Sequence, residues 1–135
     1  MTFSDYLENK LLDHAFRNTA YTPATTLYLA LFTAAPTDAG PGSGEVSTSG
    51  TGYARAQVTP STGFSAASGG LIANTGTVSF TAATTAWGTI THFAIFDAAT
   101  GSTNMLAWGA LTASKTIGAG DTASFAAGAL TISLD

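Results

Sequence analysis

The sequence predicts a mainly β fold: a single-domain β-sandwich or small barrel of seven to eight short antiparallel strands with one N-terminal α-helix. Three observations point there. Apolar residues recur at helical spacing only near the N-terminus. From residue 26 onward they alternate in short runs. Glycine-, serine- and threonine-rich turns separate those runs, in a chain with 15 glycines. At 135 residues the chain fits one domain, residues 1–135, and is long enough to bury a core.

The first element is a helix over about residues 4–18. Leu7, Leu11 and Ala15 recur every four residues with Leu12 and Phe16 beside them, while Asp5, Glu8, Lys10, Asp13 and Arg17 fall mostly on the other side. Ser4 or Thr2 can cap the first turn. Asp5 and Glu8 suit the positive end of the helix dipole and Arg17 the negative end. His14 flanks the apolar stripe as a packing residue or an interface residue.

Tyr21-Thr22-Pro23 ends the helix. Thr26 to Thr33 follows as a strand whose two alternating rows, Leu27/Leu29/Leu31 and Tyr28/Ala30/Phe32, are both apolar, so both faces are expected to be covered. Residues 34–52 form a long loop rich in Gly, Pro, Ser and Thr. A segment of that length is either a contact arm or a mobile surface loop. On the contact-arm reading, removing Pro36 to Ser49 is expected to spare the fold and weaken binding to a partner.

The β region is residues 53–135. Candidate strands are Tyr53–Thr59, Gly70–Ala73, Thr75–Thr81, Thr89–Phe96, Asn104–Thr112, Thr122–Phe125 and Ala129–Leu134. Asp97 to Ser102 and Gly118 to Asp121 are turns. The tetrapeptide Gly-Ala-Leu-Thr occurs at 109–112 and 128–131, which two strands packed alike would explain.

Composition bounds the function. Asp, Glu, Lys and Arg make up only 9% of the chain, against about 25% in ordinary soluble domains. Thr, Ser, Gly and Ala stand where charge would normally cover a lone domain, and such an exterior suits permanent contact with other subunits. Strands with few lysines also lack the usual guards against edge pairing. The net charge is −4 with four basic residues, Lys10, Arg17, Arg55 and Lys115, so no nucleic acid partner is expected. With Cys 0, no disulfide, thiolate nucleophile or cysteine zinc site can form. The N-terminus lacks a basic region followed by a long apolar run, and no stretch reaches the ~18 apolar residues of a span. Neither a secretory signal nor a membrane partner is expected.

Residues for catalysis are scarce. Ser124, His92 and Asp97 compose a Ser-His-Asp set on paper, but no Gly-x-Ser-x-Gly elbow is present and the odd offset from His92 to Asp97 separates them across a regular strand. Asp97 and Asp121 sit in turns, where aspartate bonds nearby backbone. Asp38 and Glu45 lie in the long loop without the spacing of a calcium loop. Gly40-Pro41-Gly42-Ser43-Gly44 does not lead from a strand into a helix, as a phosphate loop must. Trp87 reads as core, or, if exposed, as a platform for a sugar ring. Arg55 reads as a surface residue near a strand, or as half of an ion pair across a subunit boundary. No enzyme activity, cofactor or metal is expected. The residues singled out for partner contact are Lys10, His14, Arg17, Pro36, Asp38, Glu45 and Arg55.

Several segments together resemble a known family. They are Leu7-Glu8-Asn9-Lys10-Leu11-Leu12-Asp13-His14, Tyr21-Thr22-Pro23, Leu27-Tyr28-Leu29-Ala30-Leu31-Phe32, Gly52-Tyr53-Ala54-Arg55, Trp87-Gly88-Thr89-Ile90-Thr91-His92-Phe93 and Phe125 to Ile132. The layout resembles small virion structural proteins of tailed bacteriophages, often labelled tail fibre proteins. The resemblance implies a non-enzymatic virion role, with assembly in the host cytoplasm. Its partners would be phage capsid or tail proteins and sister copies, a homo-oligomer with a trimer among the expected states. A head decoration, or cement, protein on the capsid lattice is the first expectation. A tail fibre, tail-tip or adaptor component for host attachment is the alternative.

Overall fold

The computed structural model describes residues 1–101 and 104–134. Nine strands and two helices follow one another in these residues: β1 (Thr2–Phe3), α1 (Asp5–Phe16), β2 (Leu27–Phe32), β3 (Ala56–Val58), α2 (Pro60–Gly63), β4 (Leu71–Ala73), β5 (Val78–Ser79), β6 (Gly88–Phe96), β7 (Met105–Ile117), β8 (Ser124–Phe125) and β9 (Thr131–Ser133). The fold is mainly β with one N-terminal helix of several turns, as the sequence predicts. Every strand pairing is antiparallel. The principal sheet has five strands in the order β1-β7-β6-β2-β3, and it does not close into a barrel. Two ribbons, β4-β9 and β5-β8, complete the pairing.

The two apolar rows of β2 explain its place inside the sheet. Leu29 and Leu31 join Phe93, Ile95, Val78, Phe80 and Leu130 in the main core, so the ribbon strands and the segments flanking them pack onto that face. Ala30 and Phe32 face the other way, into a second core with Ala94, Phe96 and Met105. Burying each large side chain stabilises the fold by about 1.5–3 kcal/mol. The Tyr53, Phe80 and Trp87 rings pack at 5.3–6.4 Å, two of the three pairs edge to face. Trp87 is thereby a core residue, and its Nε1 donates to the Thr51 carbonyl at 2.9 Å.

Ser4 starts α1. Its backbone is extended, and its Oγ accepts from Leu7 N–H at 3.3 Å. The same hydroxyl donates to the Met105 carbonyl, and Ser4 N–H donates to Leu106 O at 2.9 Å. Helix and sheet are thus fastened at one buried serine. Asn18, at φ 54°, ends the helix in the left-handed region.

Three parts depart from the sequence expectations. First, residues 34–52 are built into the fold. Thr33 N–H donates to Gly44 O at 2.8 Å and Val46 N–H to Leu31 O at 3.0 Å, while Pro36, Pro41 and Val46 are buried. Excising Pro36 to Ser49 would remove part of the core, so the expectation that it spares the fold is corrected. Second, β7 runs to Ile117 instead of stopping near Thr112. It crosses a bulge in which four residues, Leu111 to Ser114, lie opposite the single Thr91. Third, Asn74 is a buried polar hub that the sequence reading passed over. Its Nδ2 donates to Gly76 O at 2.8 Å and Ala126 O at 2.9 Å, and its Oδ1 accepts from Leu130 N–H at 2.9 Å. Of the turn expected at residues 97–102, Ser102 lies outside the described residues; Asn104 Nδ2 donates to Asp97 Oδ2 at 2.9 Å across the β6–β7 connection.

Candidate functional site

The residues expected to make partner contacts do not converge on one site. They divide into an internal group and a surface group.

The internal group centres on Arg55, whose side chain is only 4% exposed. The sequence reading placed it at the surface; the fold folds it inward. Its Nε and one terminal nitrogen each donate to Glu45 at 2.7 Å, a two-pronged pair. The guanidinium also donates to Ala98 O at 2.9 Å and Gly101 O at 2.6 Å, and it lies 3.6 Å above the Phe96 ring. Tyr53 Oη donates to Glu45 Oε1 at 3.1 Å and accepts from Leu31 N–H at 3.0 Å. Burial first, and then the Glu45 charge, push the Tyr53 phenol well above its ordinary range. Glu45 and Arg55 therefore join the long loop, β2, β3 and the β6–β7 connection within one chain. Asp38 is a second staple: its Oδ1 accepts from Trp108 Nε1 at 2.9 Å, and its carbonyl accepts from Asp5 N–H at 3.0 Å. Pro36 is buried beside it in the same loop.

The surface group lies on α1 and the turn behind it. Lys10 is exposed, with its ammonium 5.8 Å from the Tyr6 ring centre. Arg17 pairs with Asp13 at 3.2 Å one turn away, an exposed pair of small energetic weight. His14 is exposed, and its Nδ1 lies 3.3 Å from both Tyr21 N–H and the Thr19 carbonyl oxygen. Burial and the nearby Tyr6 and Asp97 raise the Tyr21 phenol. No residue of α1 is buried. Tyr6 and Leu7 touch the main core, whereas Leu12 is 56% and Phe16 82% exposed. Sequence reasoning missed these two as surface residues. The available signal was a second stripe, Glu8-Leu12-Phe16, running beside Leu7-Leu11-Ala15.

A groove of about 660 Å³ opens along β7 between Gly109 and Ile117, with Met1 also lining it. Leu31, Ile90 and Phe93 line its depth; Leu111, Lys115 and Phe125 stand at its walls. The β7 bulge thus shapes one side of it.

Catalytic chemistry has little to work with. His92 bonds Thr91, Asp97 bonds Asn104, and Ser124 pairs with Ser79 in the β5-β8 ribbon. Asp121 closes its own turn by accepting from Gly118 N–H at 2.7 Å. No group of three His, Asp or Glu side chains gathers among the described residues. No helix there is long and apolar enough to cross a membrane.

Among curated proteins, none matches the chain. The family model described as "Podophage GP4 fiber I protein gp80" matches residues 2–133. That span takes in both helices and every strand described above. The chain belongs to the podophage GP4 fiber I protein gp80 family, a phage fibre family of virion structural proteins.

Proposed function

We propose that this chain is a structural component of a phage tail fibre, working by fixed contacts with neighbouring virion proteins and not by catalysis. The family match carries the reading. It favours the tail alternative over head decoration, the first expectation from sequence. The exterior agrees with it. Charge is sparse, Thr, Ser, Gly and Ala are plentiful, and two large apolar side chains of α1 stand in solvent. In this reading the β body is a rigid spacer. Lys10, His14 and Arg17 on the α1 surface, with the exposed run Ser47–Gly50 of the long loop, make the adaptable contacts. Pro36, Asp38, Glu45 and Arg55 support those contacts from beneath. The partners are other fibre or tail chains and sister copies, assembled in the host cytoplasm.

Copy number tests the proposal. Quantitative mass spectrometry of purified virions should find this chain as a small minority relative to the major capsid subunit. A ratio near one chain per capsid subunit would overturn the fibre reading and return the head decoration role.

A further inference from the structure

We infer that the exposed α1 stripe Glu8-Leu12-Phe16 of one copy seats in the β7 groove of a second copy. In its own chain the stripe stands in solvent and fills no groove. Ser4 is pinned to Met105 and Leu106 by two hydrogen bonds and caps the helix at Leu7 N–H, and Tyr6 and Leu7 pack on the body, so the direction of the helix is set. Leu12 and Phe16 then point outward one turn apart. Phe16, at 82% exposure, is the most exposed of the large hydrophobic side chains. Such a side chain on a held helix gains by entering an apolar hollow.

The groove has the matching composition. Its depth is apolar, with Leu31, Ile90 and Phe93; exposed Thr112, Thr122, Ser124 and Thr131 line it nearer solvent, and the one charged side chain lining it is Lys115. The ion pairs among the described residues are Arg17–Asp13 and Arg55–Glu45. Glu8 and Lys115 are both exposed, and among the described residues neither belongs to an ion pair. Seating Leu12 and Phe16 on the apolar floor brings Glu8, one turn earlier on the same stripe, toward the lysine. The match of acid-apolar-apolar to an apolar hollow with one cation identifies the occupant as another copy. Knob and hole differ, so the contact is heterologous, and repetition closes a ring or extends a row. A threefold ring, among the states the family resemblance implies, is one such closure.

The experiment needs only the purified full chain, so it stands apart from the fibre assignment. A monomer would sink the contact and leave virion placement untouched. Sedimentation or light scattering should give the wild type a mass that is a multiple of the chain. Leu12→Ser with Phe16→Ser should keep the native circular dichroism, since both side chains are exposed, and raise the dissociation constant at least about 100-fold. Lys115→Glu should weaken association several-fold, and adding Glu8→Lys should restore it. The absence of cysteine allows a direct register test. Copies carrying Arg17→Cys, which keep Phe16, mixed with copies carrying Ala113→Cys and oxidised, should yield a disulfide that peptide mapping places between positions 17 and 113. A monomeric wild type at every concentration, an unchanged mass for the double serine variant, or no 17–113 link would each overturn the contact.

Discussion

Removing the Glu45 carboxylate should cost about 3 kcal/mol of folding stability, a large loss for a residue in a glycine-rich loop. Glu45→Ala deletes two contacts of 2.7 Å to Arg55 and the acceptor of the Tyr53 hydroxyl. It leaves a guanidinium that is 4% exposed with only the Ala98 and Gly101 carbonyls and the Phe96 face. Breaking a buried pair from one side costs about 3–5 kcal/mol. Glu45 itself is 25% exposed, so water reaches the site and the lower end of that range applies. For a chain of this size, the loss lowers Tm by about 10–15 °C. Urea unfolding of wild type, Glu45→Ala, Arg55→Met and the double variant gives the coupling directly. The double variant should be more stable than the sum of the single effects by at least about 1.5 kcal/mol, because replacing both partners by apolar groups removes the orphaned charge. The penalty should persist in high salt, which screens exposed pairs far more than buried ones. A loss below about 0.5 kcal/mol for Glu45→Ala would equate the pair with an ordinary surface ion pair. The loop would then be an appendage, and the account of residues 34–52 would be wrong.

Asn74→Leu should destabilise by about 3 kcal/mol in the same assay, because Gly76 O, Ala126 O and Leu130 N–H all lose their side-chain partner; a change within about 0.5 kcal/mol would refute the hub. Ser4→Ala should cost about 1–2 kcal/mol, through the lost cap and the lost bond to Met105 O; amide exchange should quicken first in α1. Tyr53 predicts a loss of stability at alkaline pH. The folded state raises its pKa above the ordinary 10.0 and holds a proton that the unfolded chain has released. Its contribution is whole below about pH 10 and shrinks as pH rises beyond that value. Of the four tyrosines, Tyr53 should not contribute phenolate absorbance until the protein unfolds; reversible titration of all four in the folded state would contradict the burial.

The parts of the fold legible in the sequence were those in which local pattern and tertiary role agree. The two apolar rows of β2 announced a strand covered on both sides, and Ser4 with the acids after it announced the start of α1. The strand β6 was visible in the same way. The rest was hidden for physical reasons. Leu111 to Ser114 break the alternation of β7 because they bulge opposite one residue, and the polar Lys115 and Thr116 mask the pairing that resumes there. β1 is two residues long and paired only with β7, so no periodicity can show it. The long loop looked free because glycine and proline count matters less than partners distant in sequence, here Leu31, Arg55 and Trp108. The candidate surface was half legible. Lys10 and Arg17 are exposed, as their place on the polar side of the helix implied; His14, read as flanking the apolar stripe, is exposed too; Arg55 and Glu45 satisfy each other inside, since only folding places them side by side. Leu12 and Phe16 were assigned to the buried side of a helix of which no residue is buried.

The most direct test of a fibre role is where the chain sits on the intact particle. Fab fragments raised against the folded protein, imaged by electron microscopy on whole virions, should decorate the tail region alone. Fragments spread evenly over the head facets would contradict the account.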